Sequence, residues 1–101
     1  MEPQRSHVRV RVINTNREFL DGATVLAVSS TGERVQFHRE PSRDVFAEYL
    51  QPGSYSVEVQ AEGLEAVTRE IEVTERGARE VFVLGNDSVA NSEFFLYENA
   101  V

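Results

Sequence analysis

Residues 50–64 have the sequence LQPGSYSVEVQAEGL, and this stretch decides the fold that the chain predicts. Pro52 and Gly53 predict a type II turn, because proline presets φ at the first corner and glycine accepts the positive φ of the second. After the turn, apolar side chains alternate strictly with polar or charged ones. The apolar set is Tyr55, Val57, Val59 and Ala61. The pattern therefore predicts a β-strand with one buried face.

Turns and alternating strands of the same kind come before this stretch. Valine alternates with arginine over residues 8–12, the sequence DGATV begins a second strand at residues 21–25, and Thr31-Gly32 marks a hairpin. Together with Glu62-Gly63-Leu64, these motifs resemble the carboxypeptidase regulatory-like domain family, a transthyretin-like β-sandwich, over about residues 7–84. Immunoglobulin-like and collagen-adhesin B-type sandwiches carry similar patterns. The resemblance implies an accessory module without catalysis of its own.

The fold class that we predict is all-β, an antiparallel seven-stranded sandwich with room for an extra C-terminal strand. In the sixth strand the alternation changes phase between Thr68 and Ile71, which predicts a β-bulge near Arg69 and Glu70. The seven predicted strands are His7–Ile13, Ala23–Ser29, Arg34–His38, Val45–Leu50, Tyr55–Ala61, Ala66–Val73 and Arg79–Leu84.

The length of 101 residues predicts one sandwich domain, which would bury about 65% of its unfolded surface. We expect a flexible N-terminus over residues 1–6, the sandwich over residues 7–85, and a linker with an apolar tail over residues 86–101. The absence of cysteine excludes a disulfide framework and thiolate metal sites. No apolar run approaches the roughly 18 residues of a membrane span, so no membrane insertion is predicted. The compartment stays unknown.

The net charge is −7, and it is uneven along the chain. Residues 1–50 hold equal numbers of basic and acidic residues, whereas all of the excess acid lies in residues 51–101. This balance argues against nucleic-acid binding, which draws affinity from concentrated positive charge. All ten basic residues are arginine. The Lys–Asn isopeptide bond of collagen-adhesin B-type domains therefore cannot form here.

Two strands have apolar residues in both phases of the alternation, although a lone sandwich needs only one buried face per strand. We expect an additional segment or a partner to cover the second face. The tail carries Phe94, Phe95, Leu96 and Tyr97, which are too apolar for a free terminus. It predicts either an eighth strand on its own sheet or a segment given to a partner or second domain. The candidate interaction residues are Leu26, Val28, Phe82, Leu84, Phe94, Phe95, Leu96 and Tyr97.

A second candidate surface is a basic stripe formed by Arg5, His7, Arg9 and Arg11, which share one phase of the first strand. One interpretation is that a neighbouring acidic strand neutralises these charges. The other is that the stripe recognises an acidic partner. Tyr55, just after a turn, predicts a tyrosine corner, in which the hydroxyl bonds backbone upstream of it.

The sequence shows no constellation of catalytic residues. His7 and His38 lack a metal-spaced companion, and no Gly-x-Ser-x-Gly motif exposes a serine nucleophile. One transthyretin-fold relative, 5-hydroxyisourate hydrolase, has a site closed by a C-terminal Tyr-Arg-Gly-Ser, whereas this chain ends with residues 98–101, Glu-Asn-Ala-Val. We expect no enzyme activity, no cofactor and no metal.

The predicted function is a non-catalytic accessory module for protein–protein or interdomain attachment, as part of a larger protein or assembly. A homodimer is compatible with the pattern. The alternative is a carbohydrate or cell-surface ligand-binding module that uses loops at the end of the sandwich, such as residues 39–44. The lack of tryptophan weakens that alternative.

Overall fold

The computed structural model of the chain describes residues 5–85, which form two four-stranded β-sheets packed face to face. Within these residues the eight strands are β1 (Ser6–Asn14), β2 (Thr24–Ser29), β3 (Arg34–Gln36), β4 (His38–Arg39), β5 (Phe46–Leu50), β6 (Gly53–Gln60), β7 (Val67–Val73) and β8 (Ala78–Leu84). The first sheet has the order β4-β5-β1-β8, and the second has the order β3-β2-β6-β7. The predicted all-β sandwich is confirmed.

One strand pairing departs from the predicted antiparallel arrangement. β1 and β8 run parallel, with Val8 opposite Ala78 and Asn14 opposite Leu84, whereas the other pairings between named strands are antiparallel. The expectation of a wholly antiparallel sandwich was therefore wrong for this pair. The parallel pairing follows from topology, because β7 closes the second sheet and the chain then crosses to the far edge of the first.

The predicted third strand is divided between the two sheets. β3 pairs with β2, and β4 pairs with β5. Phe37 lies at the crossing, where its side chain is buried and its N–H donates to the Val25 carbonyl over 2.8 Å. The sequence run is continuous, so it does not show that the chain changes sheets in the middle.

The Pro52-Gly53 turn also connects the two sheets, because β5 belongs to the first and β6 to the second. Gly53 has the expected positive φ, but its value is 150°, beyond the roughly 80° of a type II turn. The chain thus passes through this crossing in a more extended form than predicted. A side chain here would be strained by that φ, which explains the glycine.

The core lies between the sheets and consists of the inward residues of the alternating strands. Val8, Val10 and Val12 of β1 are fully buried in the same cluster as Val57 and Val59 of β6. Burial of each such side chain contributes about 1.5–3 kcal/mol. The alternation that predicted these strands therefore also identified most of the core.

The bulge predicted in β7 is absent, and that expectation was wrong. β6 and β7 pair without interruption from Gly53 opposite Val73 to Val59 opposite Val67. The inward phase of β7 includes Arg69, whose guanidinium lies 4.2 Å from the centre of the Phe82 ring. It also donates to Glu80 Oε1 over 2.9 Å and to the Val81 carbonyl over 3.0 Å. An arginine can thus occupy an inward position because its charged end reaches β8 at the margin of the sandwich.

Candidate docking surface

The outward side of the first sheet carries a concentration of basic and aromatic side chains, which we name the basic face. Three strands contribute to it, because outward positions of β5, β1 and β8 lie side by side. The basic face consists of His7, Arg9, Arg11, Tyr49, Arg79 and Val81.

Strand register brings these residues together. Tyr49 of β5 lies opposite His7, and their rings are 4.8 Å apart. On the other side of β1, Arg79 lies opposite Arg9, and Val81 lies opposite Arg11. The predicted basic stripe is thus one row of a wider face, with Arg5 at its exposed N-terminal end.

Arg79 was missing from the sequence-based stripe, although it shares the outward phase of its strand with Val81. The sequence did not place Arg79 in the outward phase, because both phases of β8 contain apolar residues. Its place beside Arg9 depended on the parallel pairing with β1, which the sequence did not indicate.

The structure does not show the expected neutralisation of the stripe by a neighbouring acidic strand. Glu48 and Glu80, the acidic residues of the two strands that flank β1, have the inward phase of β5 and β8. Glu48 lies 3.8 Å from His38, and Glu80 bonds Arg69. Within residues 5–85 the third salt bridge joins Arg39 to Asp44, so none involves an arginine of the basic face.

Two exposed apolar side chains accompany these charges. Tyr49 is 55% exposed and Val81 is 51% exposed, and they are the large hydrophobic residues that stand out as exposed in the described part of the chain. Both lie on the basic face, on opposite sides of β1. Tyrosine and arginine are enriched at the centres of protein interfaces, where Lys, Glu and Asp are depleted. The face therefore has the composition of a docking surface.

The other sheet presents a different outward surface, which is mainly acidic and polar. Glu58, Glu70 and Glu72 point outward from β6 and β7, while Arg34 lies at the far side on β3. Ser54 donates to Glu72 over 2.8 Å. The two outer faces of the sandwich thus carry opposite charge.

The candidate interaction residues from the sequence do not form one surface. Phe82 and Leu84 are 1% and 0% exposed, so they belong to the core and are not docking residues. Their larger side chains fill the space between the sheets, and the outward phase of β8 is that of Val81. Leu26 and Val28 face outward from the second sheet and are half-buried. Phe94, Phe95, Leu96 and Tyr97 lie outside the described residues.

Contacts within the end loop at residues 39–44, and one with Phe19 beside it, hold the loop in place. Arg39 lies 3.7 Å from Asp44 and 5.3 Å from the centre of the Phe19 ring. The Glu40 N–H donates to the Val45 carbonyl over 3.0 Å. A cleft of about 250 Å³, between residues 22–24 and 60–66, has no aromatic side chain in its lining. Neither feature offers a platform for a sugar ring.

Tyr55 has the structural role that its position predicted. Its hydroxyl donates to the Gln51 carbonyl over 2.7 Å, as a tyrosine corner requires. Burial raises the pKa of this hydroxyl, the charge of Glu33 raises it further, and Arg5 opposes both. The residue therefore supports the Pro52 crossing and does not belong to a ligand site.

Residues 5–85 contain no group of three or more His, Cys, Asp or Glu side chains that could hold a metal ion. In the same part of the chain we find no helix with the length and apolarity needed to cross a membrane.

The fold and the basic face together define the class of this chain as a β-sandwich with one basic outer surface. Among solved structures it is similar to phospholipase PlaB from Legionella pneumophila, with a TM-score of 0.64 and 11% identity over 84% of this chain and 26% of that one. The Bacillus anthracis TIE protein is similar with a TM-score of 0.61 and 14% identity, over 82% of this chain and 16% of that one. BcpA, the major pilin subunit of Bacillus cereus, is similar with a TM-score of 0.55 and 16% identity, over 80% of this chain and 28% of that one.

At these identities the likeness concerns the fold alone. This chain spans between about a sixth and under a third of the length of those structures. No protein-family model matches the sequence, and no curated protein matches it either. The carboxypeptidase regulatory-like assignment therefore stays a prediction, within a confirmed β-sandwich class.

Proposed function

We propose that the chain is a non-catalytic attachment module that docks an acidic protein surface through its basic face. The observation that carries this proposal is the position of Tyr49 and Val81, which flank a row of arginines that have no acidic partner among the described residues. Exposed apolar area supplies affinity, and the arginines select a partner of opposite charge.

The structural neighbours support a modular role in a limited way. In each of them the similar part is a minor portion of a longer chain. This is compatible with a module that joins other domains or subunits, although fold likeness does not define function. The partner in this proposal is a separate protein, a second domain of the parent chain or a second copy. The phospholipase activity of one neighbour is not transferred to this chain.

A matched pair of double variants tests the proposal. Arg11 and Val81 are opposite each other on the basic face, and Arg34 and Val28 are opposite each other on the other sheet. We expect Arg11→Glu with Val81→Asp to abolish docking, because both changes oppose an acidic partner. Arg34→Glu with Val28→Asp makes the same charge change and should preserve docking.

Docking is measured by quantitative affinity capture from the source organism and by light scattering of the purified chain. We expect a captured protein, or a second copy, to be lost at least tenfold from the basic-face variant only. Its retention should fall as salt rises, because screening shortens electrostatic reach to about 10 Å at 0.1 M. Equal capture and equal self-association by wild type and both variants would contradict the proposal.

A further inference from the structure

A cleft of about 480 Å³ lies at one end of the basic face, where β1 begins and the β7–β8 turn reaches it. Its lining contains three arginines and a histidine but no carboxylate. The lining residues are His7, Arg9, Arg76, Gly77, Ala78 and Arg79. Arg76 belongs to neither the predicted basic stripe nor the basic face.

The turn that carries Arg76 is held in place by hydrogen bonds. The Gly77 N–H donates to the Thr74 carbonyl over 2.9 Å, and the Arg76 N–H donates to Thr74 Oγ1 over 3.2 Å. Gly77 packs so closely on the His7 backbone that a Cβ there would collide with its carbonyl oxygen. Hydrogen bonds within the turn, and the close packing of Gly77 on β1, thus fix the backbone that forms the cleft.

The side chains of the cleft bring like charges together. Arg9 and Arg79 are directly opposite on strands that lie about 4.8 Å apart. Like charges in such a position destabilise a sheet. Within residues 5–85 no salt bridge compensates Arg9, Arg76 or Arg79. A bound anion would relieve this repulsion.

Hydrogen-bond donors remain for such an anion. Arg9 Nε donates to His7 Nδ1 over 3.3 Å. In a neutral imidazole that accepts at Nδ1, the proton is at Nε2, so that nitrogen is a donor. The terminal amino groups of Arg9 stay available beside it. Arginine forks bind the oxygens of phosphate and sulfate in pairs.

From this arrangement we infer that the cleft of Arg9, Arg76, Arg79 and His7 binds a tetrahedral oxyanion, a phosphate or sulfate group. A tetrahedral dianion has enough oxygens to accept from several guanidinium groups at once, whereas a single carboxylate has two. The cleft shares His7, Arg9 and Arg79 with the basic face, but Arg76 lies only in the cleft and Tyr49 and Val81 are not part of its lining. Variants at these positions therefore test the two proposals separately.

The test is a nuclear magnetic resonance titration of the full chain with inorganic phosphate and with sulfate, at constant ionic strength against chloride. We expect saturable amide shifts at residues 7–9 and 76–79. Arg76→Gln or Arg79→Gln should weaken binding about tenfold each, since hydrogen bonds to charged groups are the stronger kind. Arg34→Gln removes the same charge from the other sheet and should change binding less than twofold.

A sulfated heparin oligosaccharide distinguishes a free anion from the same group on a larger molecule. Tighter binding of the oligosaccharide than of inorganic sulfate, with loss on Arg79→Gln, would support a site for a presented group. Equal binding of both, with the same loss, would support a site for the free anion.

The inference would be overturned by shifts that never saturate or by equal weakening in Arg34→Gln and Arg79→Gln. Either result would leave the protein-docking proposal intact, because its variants change Arg11 and Val81.

Discussion

Gly77 shows how one residue positions a surface. Its φ is +89°, and its backbone lies against the His7 carbonyl, so two independent constraints exclude a side chain. Gly32 has nearly the same φ, +90°, but a Cβ there would meet open space. A substitution at Gly32 therefore costs backbone strain alone, whereas a substitution at Gly77 costs backbone strain and a steric clash.

We expect Gly77→Ala to destabilise the protein more than Gly32→Ala does. Backbone strain at either position costs about 1–3 kcal/mol. Only Gly77→Ala adds a clash with backbone, which has to move β1 or the turn. Urea unfolding measures both free energies, and equal losses in the two variants would show that the contact at His7 is unimportant.

At the residue scale, the sequence predicted what depends on near neighbours in the chain. The hydrogen bond from Tyr55 to Gln51 spans four residues, and Gly53 follows a proline. The proximity of Arg9 and Arg79 spans most of the domain, and no local pattern encodes it. The sequence therefore predicted the row of the basic face on β1 but not the residues that β5 and β8 place beside it.

At the element scale, β8 and β7 show where the alternation of apolar and polar residues does not predict which side chains face inward. Both phases of β8 are apolar, so the pattern could not decide between Val81 and Phe82, and the structure places the larger one inside. In β7 the inward position of Arg69 interrupted the apolar phase and suggested a bulge. The strand is regular because Arg69 binds β8 and the Phe82 ring.

A double-mutant cycle tests this connection between the sheets. Arg69→Met keeps the apolar stem, and Glu80→Gln removes the charge of its partner. We expect a coupling free energy of about 0.5–1 kcal/mol, the upper range for partly exposed ion pairs. The same cycle between Arg79 and Glu80, which no salt bridge joins, is the control. Coupling that is equal in both cycles would contradict a specific Arg69–Glu80 bond.

At the scale of the whole molecule, the buried cluster of the described residues joins both sheets. It extends from Val8 to Leu84. The prediction that residues 86–101 form an extra strand or a donated segment concerns residues outside that range. It stays a prediction.

We expect a chain that ends at Gly85 to fold cooperatively, because the members of the buried cluster lie between Val8 and Leu84. Circular dichroism during thermal unfolding, compared with the full chain, measures this. Loss of the cooperative transition would show that the tail completes the core. Light scattering on both chains then reports whether the tail promotes self-association.

The parallel pairing of β1 with β8 has a mechanical consequence. Because both strands run in the same direction, the chain enters the sandwich at one end and leaves it at the other. Tension applied through residues 5 and 85 would pull β1 and β8 in opposite directions along their length. Their ladder from Val8 to Asn14 would be loaded in shear, with its hydrogen bonds sharing the force, and would not peel open one bond at a time. We therefore expect the domain to resist stretching between these two residues more strongly than a sandwich whose terminal strands are pulled apart one bond at a time.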